Sequence, residues 1–528
     1  MSLHLLSHPI LTCSEAKSFE HLLLAGNEEA EWQAMTRAGE GVADSFLRDM
    51  RELRSIPQGP RFLALIGKGH NGGDALVVMR RLMKSIPTIR ACIWPLEPWD
   101  SCRPNVRRAR DELLEVASAR ITEMEPASVL ESKEHMKAAL DQVCSKRGFT
   151  GCVDGLLGMQ CKPPLRKPAA LVINLVNGRS DLGTRMSVDL PSGIADESDP
   201  SAFRADFTYA AGIAKAPLLD PANAPSTGRI RYVDIGFFDG AARPETSSLS
   251  EEILPIAALR ALRRLRPPSC DKRDFGHLFL IAGSRTFPGA ALMAAKAAAR
   301  SGVGLLTVFV PQSLHAAFAA ALPEAMWVPM PETRFGGLSL EGRALVAQRL
   351  PGATALAAGP GLGNERESHV LLSETLRGFD RPVVLDADAL QPDVIGQVTS
   401  RDKLVVTPHA GEFARIIGNQ DLSPQAYSRV HSCVTVLKGP LTRICSGDRQ
   451  LVNVSGGPVL ARGGSGDLLT GIIGSLLARY PENTLAAASL GVLWHARAAD
   501  ALARQHGQEG VTITEILDYL SFSLRNDY

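Results

Sequence analysis

The sequence has almost no net charge and no long hydrophobic run. Its 57 Lys and Arg residues nearly equal its 56 Asp and Glu residues, so the charge gives no reason to expect binding to nucleic acid or to a membrane surface. An apolar stretch such as 471–478 is too short to cross a membrane. Residues 1–15 contain no Lys or Arg and no long apolar core, so we expect no secretory signal.

Paired cysteines are missing as well. The nine cysteines are scattered, without C-x-x-C pairs or metal-ligand spacing. An odd number of scattered thiols favours a reduced, cytoplasmic protein over a disulfide framework. Aromatic residues make up only 5 % of the chain, which fits α/β layers rich in Ala, Leu and Val. A chain of 528 residues is too long for one core, so we expect two or more domains.

Strand-like and helix-like runs alternate along the chain, which predicts an α/β protein with parallel sheets. The alternation lapses at residues 237–250, whose Gly, Ala, Pro, Ser and Glu are typical of a linker. We therefore place a domain boundary near residue 240 and predict domains at 1–240 and 241–528. Beyond it, the Arg-rich residues 261–268 are predicted to form a helix with a solvated basic face, stopped by proline.

Residues 463–467, Gly-Gly-Ser-Gly-Asp, run directly into the apolar, helix-like stretch 468–478. Such a loop can present backbone N–H groups to a phosphate, and the helix start adds the positive end of its dipole. Asp467 would repel an anion but could take a proton from a hydroxyl that attacks a phosphoryl group. The pattern indicates phosphoryl transfer to an alcohol. The alternative is a Gly-rich turn with a helix-capping Asp.

Three strand-like runs upstream also end in polar side chains. They lie at residues 383–390, 404–412 and 434–439. The loops beyond the carboxyl ends of parallel strands converge at one edge of a sheet. We therefore expect five side chains to meet there: Asp386, His409, Glu412, Lys438 and Asp467.

In the first half, residues 67–74 contain G-x-G-x-x-G between a predicted strand at 61–66 and a predicted helix at 75–83. The acidic residue that a Rossmann dinucleotide site needs at the end of the next strand is not evident. Asn71 and Asp74 suit a monovalent cation or a ribose better. Two further strand-like runs end in Asp154 and Asp189, which are either turn formers or carboxylates at a ligand-binding edge.

These motifs resemble two families in succession. The first half resembles the NAD(P)H-hydrate epimerase domain, through residues 67–74, 154–158 and 189–193, with agreeing flanks at 35–39 and 208–215. The second half resembles the NAD(P)H-hydrate dehydratase domain, a relative of the ribokinase-like kinases, through residues 275–284, 288–291, 359–363, 383–390, 404–412, 438–439 and 463–467. Together the matches cover nearly the whole chain, in the order of the bacterial fused repair enzymes.

The resemblance implies a Rossmann-like three-layer domain followed by a ribokinase-like α/β domain. The implied substrates are NADHX and NADPHX, nicotinamide cofactors that carry water across the C5–C6 bond of the ring. The second domain would phosphorylate the C6 hydroxyl of the S-epimer from ADP, giving AMP and, after phosphate leaves, NAD(P)H. The first domain would interconvert the R- and S-epimers.

The resemblance also implies K⁺ in the epimerase domain and Mg²⁺ in the dehydratase domain. We expect a homo-oligomer. The sequence leaves open the choice between ADP and ATP and the choice between NADHX and NADPHX.

Matched motif positions imply roles for single residues. In the second domain Asp467 is the implied base on the C6 hydroxyl. The substrate is implied to contact Ala290, Gly361, His409 and Asp467. The nucleotide is implied to contact Lys438, Gly439, Pro440, Leu441, Thr442 and Gly466.

In the first domain Asp189 is the implied acid/base, with Lys215 as the alternative. The implied potassium ligands are Asn71, Asp154 and Ser192. The implied substrate-binding residues are His70, Asn71, Gly72, Gly73, Asp74, Gly158, Met159, Gln160, Cys161, Lys162, Pro163, Pro164 and Asp189.

The sequence departs from the family pattern at several of these motifs. His70 stands where Asn is usual, and Ala75 and Gln160 stand where Gly is usual. Asp-Lys-Arg at 271–273 replaces His-Lys-Gly. Arg462 stands beside the catalytic loop where the family has Thr. These departures bear on nucleotide preference and epimerase rate more than on the type of reaction.

Two alternatives remain. The second half could be a ribokinase-like kinase for a vitamin precursor, which would release a phosphorylated product, and the first half could be a non-catalytic interaction domain. The string at 407–412 and the fused first half favour dehydration. Four polar loop residues argue against a scaffold: Asn71, Asp154, Asp189 and Ser192.

Overall fold

Parallel strands alternate with helices in both halves of the chain, which confirms the predicted α/β class. The structure, a computed structural model, describes residues 3–24, 26–53, 56–130, 132–144, 148–240, 242, 244 and 251–526. The chain forms two compact units, one of His8–Ser248 and one of Leu249–Tyr528 with Met1–Ser7. Most of the predicted linker at 237–250 lies outside the described residues. No helix of the described residues is long and apolar enough to cross a membrane.

The described residues of the first unit form nine strands, and seven of these make up one parallel sheet. The unit's strands are β1 (His8–Leu11), β2 (Arg61–Ile66), β3 (Arg90–Pro95), β4 (Ile121–Glu123), β5 (Gly151–Gly155), β6 (Thr184–Val188), β7 (Phe207–Ala211), β8 (Ala214–Lys215) and β9 (Arg229–Val233). Its helices are α1 (Cys13–Leu24), α2 (Glu28–Leu53), α3 (His70–Ser85), α4 (Pro104–Ala117), α5 (Lys133–Val143), α6 (Ala169–Asn177) and α7 (Ala224–Thr227).

The strand order of this sheet is β4-β3-β2-β5-β6-β7-β9, and β1 pairs separately with β8. The chain runs outward from β2 to β4 and then returns to β5 on the other side of β2. This reversal makes the β2–β5 junction the switch point at which ligands bind in such sheets. The backbone N–H of Gly67, directly after β2, donates to Gly155 O at 3.0 Å across this junction.

The second unit is built on the same plan, with one antiparallel addition. Its strands are β10 (Glu251–Ile253), β11 (His277–Ile281), β12 (Leu305–Pro311), β13 (Met326–Met330), β14 (Ala355–Ala358), β15 (Val383–Leu385), β16 (Leu404–Val406), β17 (Val434–Leu437), β18 (Thr442–Ser446) and β19 (Arg449–Asn453). Its helices are α8 (Pro288–Arg300), α9 (His315–Ala321), α10 (Arg343–Arg349), α11 (Arg366–Arg377), α12 (Pro392–Ile395), α13 (Ala410–Ile417), α14 (Pro424–His431), α15 (Ser465–Arg479), α16 (Thr484–His506) and α17 (Ile516–Arg525).

The strand order in this unit is β13-β12-β11-β14-β15-β16-β17-β18-β19-β10. Its switch point lies between β11 and β14. The strands are parallel except that β18 pairs antiparallel with β17 and with β19. Ser446 and Arg449 pair across the two-residue turn Gly447-Asp448, a residue pair typical of a β-hairpin.

Helix α15 is apolar on every side because it lies inside the second unit. Leu468, Ile472 and Leu476 are fully buried in one cluster with Ala294 and Ala298 of α8. A helix packed on all sides has little freedom to shift. Its first turn, which contains Asp467, is therefore held in a fixed place.

The structure corrects three local predictions. α3 begins at His70 rather than Ala75, because its glycines serve close packing and not a loop: a Cβ on Gly72 would lie 2.0 Å from Gly67 O. α15 begins at Ser465, so Asp467 lies within the helix. Residues 263–268 are not helical; only a 3₁₀ segment precedes them, and two prolines at 267–268 cannot donate backbone hydrogen bonds.

Candidate active sites

Asp386 is the centre of a buried polar cluster at the carboxyl edge of the second sheet. It follows β15 and is 1 % exposed. Its Oδ1 accepts hydrogen bonds from Lys438 Nζ (2.7 Å) and Thr407 Oγ1 (2.8 Å), and its Oδ2 accepts one from Thr470 Oγ1 (2.8 Å). Burial raises the pKa of Asp386, but Lys438 and the two hydroxyls lower it by more, so the carboxylate stays ionised.

Lys438 links this cluster to the neighbouring strands. Its Nζ lies 3.8 Å from the Glu412 carboxylate, and its backbone N–H donates to Pro408 O at 2.8 Å. Burial lowers the pKa of Lys438, but the carboxylates of Asp386, Glu412 and Asp467 raise it above its ordinary value. The result is a fixed cation at the sheet edge, suited to a phosphate.

Asp467 lies in the first turn of α15, beside the cluster. Gly464 caps the helix at a φ of +94°, which favours glycine. Gly466, in the same turn, lies close to the cluster: a Cβ added to it would be 3.2 Å from Lys438 Nζ and 3.4 Å from Asp386 Oδ2. Burial and the Asp386 carboxylate raise the pKa of Asp467 to about 6, although Lys438 opposes them. Such a carboxylate, at a helix N-terminus that attracts phosphate, can accept a proton from an alcohol near neutral pH.

His409 and Glu412 form the N-terminal cap of α13. His409 Nδ1 accepts from the backbone N–H of Gly411 (3.0 Å) and of Glu412 (3.2 Å), and the Glu412 carboxylate accepts from His409 N (2.8 Å). Because Nδ1 accepts, a neutral His409 carries its proton on Nε2. The ring is 60 % exposed, so this Nε2–H can donate to a ligand.

Ala290 and Gly361 meet at the switch point of the second sheet. A Cβ on Gly361 would lie 2.9 Å from Ala290 Cβ. Ser284 Oγ donates to Gly361 O at 2.9 Å, and Asp388 Oδ2 accepts from Gly363 N at 2.8 Å. These contacts join the loops after β11, β14 and β15 into one surface.

The five residues at 438–442 include the turn between β17 and β18. Gly439 and Pro440 are exposed, Leu441 and Thr442 are half-buried, and Thr442 Oγ1 donates to Gly439 O at 3.4 Å. The turn therefore starts at Lys438 and leads outward from the cluster. The structure thus brings together the five polar side chains expected at this edge: Asp386, His409, Glu412, Lys438 and Asp467.

In the first unit, Asp154 is fully buried within β5 rather than in the loop after it. Its carboxylate accepts from Ser192 N (2.8 Å), Ser192 Oγ (2.6 Å), Ser187 Oγ (3.0 Å) and Leu156 N (3.3 Å). Burial raises the pKa of Asp154, and these hydrogen bonds oppose the rise. Among the described residues no basic side chain forms an ion pair with it.

Asn71 and Ser192 meet around the backbone of Leu157. Asn71 Nδ2 donates to Leu157 O at 2.8 Å, and Leu157 N donates to Ser192 Oγ at 2.9 Å. A Cβ on Gly158 would lie 3.7 Å from Asn71 Cβ. Asn71, Asp154 and Ser192 therefore lie together at the switch point, and Gly158 adjoins them.

Asp189 forms a buried ion pair with Lys215. The Nζ–Oδ1 distance is 2.5 Å, and Lys215 is fully buried in β8. Asp189 has a φ of +67°, a strained value for a non-glycine residue that costs on the order of 1–3 kcal/mol. Such strain clusters at functional sites. Burial lowers the pKa of Lys215, but Asp189 and Glu20 raise it above its ordinary value.

Two further carboxylates belong to this pair's surroundings. Burial together with the Asp189 and Glu20 carboxylates raises the pKa of Asp74 well above its ordinary value, although Lys215 opposes the rise. Glu20, on α1, was missed by the sequence analysis because no motif contains it. The hint available was only its place on an amphipathic helix.

The remaining predicted substrate residues of the first unit lie at the start of α3 and along the loop after β5. His70 begins α3 and lies 2.9 Å from the Arg103 guanidinium. Gly72 and Gly73 are buried in the first turn of α3, and Met159 packs against the cluster that contains Phe19. Along the loop after β5, Gln160, Lys162 and Pro164 are exposed, whereas Cys161 and Pro163 are half-buried.

Comparison with known proteins agrees with this geometry. Residues 278–521 match the NAD(P)H-hydrate dehydratase family, and residues 31–216 match the family described as YjeF-related protein N-terminus. The bifunctional NAD(P)H-hydrate repair enzyme of Gloeobacter violaceus is 33 % identical over 524 residues, covering 95 % of each chain. That of Moorella thermoacetica is 31 % identical over 509 residues, covering 93 % of this chain and 92 % of its own.

The chain belongs to the family of bifunctional NAD(P)H-hydrate repair enzymes. Among solved structures, the ADP/ATP-dependent NAD(P)H-hydrate dehydratase of Bacillus subtilis, co-crystallised with ATP/Mg²⁺, is 27 % identical. That match covers 54 % of this chain and all of the B. subtilis chain, with a TM-score of 0.46.

One departure from the family pattern has a clear structural outcome. The Arg462 guanidinium donates to the backbone carbonyls of Val511 and, at 2.6 Å, of Gln508. Its charge is thus held by the 508–511 loop rather than by the Asp386 cluster.

Thr407 and Thr470 complete the Asp386 cluster but were not predicted as site residues from the sequence. Thr470 lies one helical turn after Asp467, and this spacing was the signal that could have identified it.

Proposed function

We propose that this chain repairs NADHX and NADPHX in two steps: the 1–240 domain epimerises them, and the 241–528 domain dehydrates the S-epimer at the expense of ADP. The observation that carries the second step is Asp467, a carboxylate with a pKa of about 6 beside Lys438 and at the N-terminus of α15. The free thiols of all nine cysteines support the prediction of a reduced, cytoplasmic setting. The homo-oligomeric state stays a prediction.

In the dehydratase reaction Asp467 takes the proton of the C6 hydroxyl as its oxygen attacks the terminal phosphorus of ADP. The new O–P bond forms, the bond to the AMP phosphate breaks, and Lys438 with the N–H groups of Gly466 and its neighbours stabilises the phosphoryl charge. Phosphate then leaves C6 with the bonding electrons, and loss of the C5 proton restores the C5–C6 double bond. Phosphate is a far better leaving group than hydroxide, so the nucleotide drives the dehydration.

The residues at this site fit a magnesium ion that is bound mainly by the nucleotide. The described residues contain no group of three His, Cys, Asp or Glu side chains able to hold a metal by themselves. Mg²⁺ commonly keeps several waters and binds through phosphates plus one or two carboxylates. Glu412 is more exposed than Asp386, with 11 % of its side chain accessible against 2 %, so Glu412 is the carboxylate we assign to this ion. The bound ion would neutralise phosphate charge.

In the epimerase reaction C6 bears both the hydroxyl and the ring nitrogen. Removal of the hydroxyl proton lets the C6–N1 bond open to an aldehyde, and reclosure on the other face inverts C6. Asp189 would take this proton and return it, and its 2.5 Å ion pair with Lys215 supports this role because the contact fixes the position of the carboxylate. His70–Asp74 and the loop at 158–164 would hold the dinucleotide.

The site around Asp154 fits a potassium ion. Asp154 is a fully buried carboxylate, and its surroundings supply an amide, a hydroxyl and the Leu157 carbonyl rather than a cationic side chain. Hard oxygen ligands that carry one negative charge suit K⁺ better than Mg²⁺. We propose Asn71, Asp154 and Ser192 as its ligands.

This metal assignment predicts different results for two variants. Asp154→Asn removes the ligand charge, so K⁺ activation and substrate affinity should fall together, whereas Asp189→Asn should abolish epimerisation and keep K⁺-induced thermal stabilisation. The measurements are R-to-S conversion against K⁺ concentration and the Tm in KCl against tetramethylammonium chloride. Unchanged epimerisation by the parent protein in tetramethylammonium would refute the metal role.

The overall function is tested by chromatography of hydrated NADH incubated with the protein and ADP or ATP. We expect both epimers to be consumed, NADH to appear, and no NADH to form without nucleotide. Accumulation of a phosphorylated product without NADH would favour the vitamin-precursor kinase instead. Consumption of the S-epimer alone would favour a non-catalytic first domain.

The two-domain division predicts that a fragment of residues 251–528 dehydrates the S-epimer but consumes the R-epimer only at its unaided rate. Leu3 is buried in the core of this unit, and Arg449 donates to Ser7 Oγ at 3.2 Å. A fragment without residues 1–7 loses these contacts. It should therefore melt at a lower temperature than the same fragment to which residues 1–7 are joined by a flexible linker. S-epimer turnover and Tm are measured for both. A folded 251–528 fragment that epimerises would show that the functions are wrongly divided.

A further inference from the structure

Two basic residues flank the glycine-rich segment at the switch point of the first sheet. Lys68 follows β2, and Arg103 stands at the N-terminal cap of α4, in the loop after β3. The backbone N–H of Arg103 donates to Lys68 O at 3.2 Å, which joins the two loops. A Cβ on Gly73 would lie 3.7 Å from Val106 Cγ2, so the start of α4 also packs against the start of α3. Both basic residues therefore adjoin the proposed substrate residues at 70–74.

His70 holds the Arg103 guanidinium in place. Arg103 Nη1 lies 2.9 Å from His70 Nε2. Because a guanidinium can only donate hydrogen bonds, this imidazole nitrogen accepts, and a neutral His70 carries its proton on Nδ1. Burial and the charge of Arg103 lower the pKa of His70, although Glu31, whose carboxylate lies 3.6 Å from the same nitrogen, opposes them. His70 is therefore neutral near pH 7 and positions the guanidinium without neutralising its charge.

The positive charges of this surface have no acidic partner in the part of the chain that the structure describes. Neither Glu97, in the same loop as Arg103, nor any other described carboxylate forms an ion pair with Lys68 or Arg103, and both basic residues are exposed. Arg107 lies one helical turn after Arg103 on α4 and adds a third cation to the same face. Arg108, by contrast, lies 3.0 Å from a carboxylate. The surface is thus suited to an anionic ligand.

We propose that Lys68 and Arg103 form a subsite that binds a phosphate group of the dinucleotide substrate. This inference rests on the proposed epimerase function of the first unit. The guanidinium presents several N–H donors in a fixed fork, and the ammonium acts as a point charge beside it. His70 accepts from one donor of Arg103, so the others are left for the phosphate oxygens.

The place of the subsite in the sheet indicates which part of the substrate it holds. Asp189, the proposed acid/base, directly follows β6, and β3 lies three strands from β6 in the strand order. Adjacent strands are about 4.8 Å apart, so β3 and β6 are separated by about 14 Å. With the nicotinamide ring at Asp189, a phosphate near Arg103 belongs to the diphosphate or to the 2′-phosphate that NADPHX carries and NADHX lacks.

The test is the KM for R-NADHX and for R-NADPHX in R-to-S conversion by the full chain. Arg103→Met removes the charge and the donors, so KM should rise about 10-fold, as the loss of a charged hydrogen bond implies. The kcat should stay at the parent value, because no group at the reacting carbon is altered. Lys68→Met should change KM in the same direction. A rise with NADPHX alone assigns the subsite to the 2′-phosphate, and a rise with both substrates assigns it to the diphosphate.

Two further measurements separate anion binding from a structural role. Arg103→Lys keeps the charge and should recover part of the lost affinity. At fixed K⁺ concentration, added tetramethylammonium chloride should raise the KM of the parent more than that of Arg103→Met, because salt screens the interaction that the variant lacks. The matched control is Arg90→Met, at the exposed amino end of β3, which should keep both parent KM values.

Parent KM values for both substrates in folded Arg103→Met and Lys68→Met would overturn the proposal, as would a lower kcat without a change in KM. If Arg103→Met does not fold, Lys68→Met and Arg103→Lys decide by the same comparison. Absence of R-to-S conversion in the parent would instead reject the proposed epimerase function. Calorimetric binding of NADPH would then decide the subsite, since equal affinities of the parent and Arg103→Met would contradict it and weaker binding by the variant would support it.

Discussion

Asp467→Asn is expected to slow dehydration of the S-epimer by about 10²–10⁴-fold, the usual loss when a general base is removed. Asn keeps the size of the side chain and its place in the first turn of α15 but cannot accept the C6 hydroxyl proton. The measurement is the rate of NADH formation from the S-epimer at saturating nucleotide. R-to-S conversion by the same chain should be unchanged.

The pH dependence of the parent enzyme follows from the pKa of about 6. The base form of Asp467 is the active one, so turnover should rise as the pH increases through about 6 and then level off. The raised pKa also means that Asp467 favours folding at low pH and ceases to do so as the pH passes 6. Asp467→Asn should therefore be no less stable than the parent at pH 8.

Asp448→Asn, in the exposed turn between β18 and β19, is the matched control and should retain full activity. A folded Asp467→Asn protein that dehydrates the S-epimer at nearly the parent rate would show that another group takes the proton. The same conclusion would follow if dehydration by Asp467→Asn showed the same pH dependence as dehydration by the parent.

The sequence predicted the meeting of four distant loops correctly for a simple reason. Each of Asp386, His409 and Lys438 stands at or just after the carboxyl end of a buried strand, and parallel strands deliver such residues to one edge whatever the lengths of the helices between them. The alternation of strands with helices, together with a polar residue at the end of each strand, is sufficient for that inference. The same argument located Asp189 directly after β6.

Sequence could not give the contacts that tune these groups. The pKa of Asp467 depends on burial and on the Asp386 carboxylate, which is 81 positions away in the chain, and Leu11 lies opposite Lys215 only through the pairing of β1 with β8. Both depend on how residues that are far apart in the sequence pack together. The start of α3 was misplaced because glycine is read as a helix breaker, whereas Gly72 is needed for its close approach to Gly67.

Lys438→Met is expected to damage both stability and turnover. It leaves the buried Asp386 carboxylate without its cation, and breaking a buried pair typically costs about 3–5 kcal/mol. Because Lys438 lowers the pKa of Asp467, its loss should also move the pH–rate curve to higher pH. The measurements are the Tm and the pH profile of S-epimer dehydration.

A double variant separates these effects. Lys438→Met with Asp386→Asn removes the unpaired charge, and the side-chain amide introduced by the second substitution can still bond the hydroxyls of Thr407 and Thr470, so stability should largely return. Turnover should not return, because the phosphates still lack the Lys438 ammonium. The KM for ADP should rise in both variants, whereas R-to-S conversion should match the parent in each. If the double variant dehydrates the S-epimer as fast as the parent, Lys438 serves only to neutralise Asp386 and its proposed contact with the nucleotide is wrong.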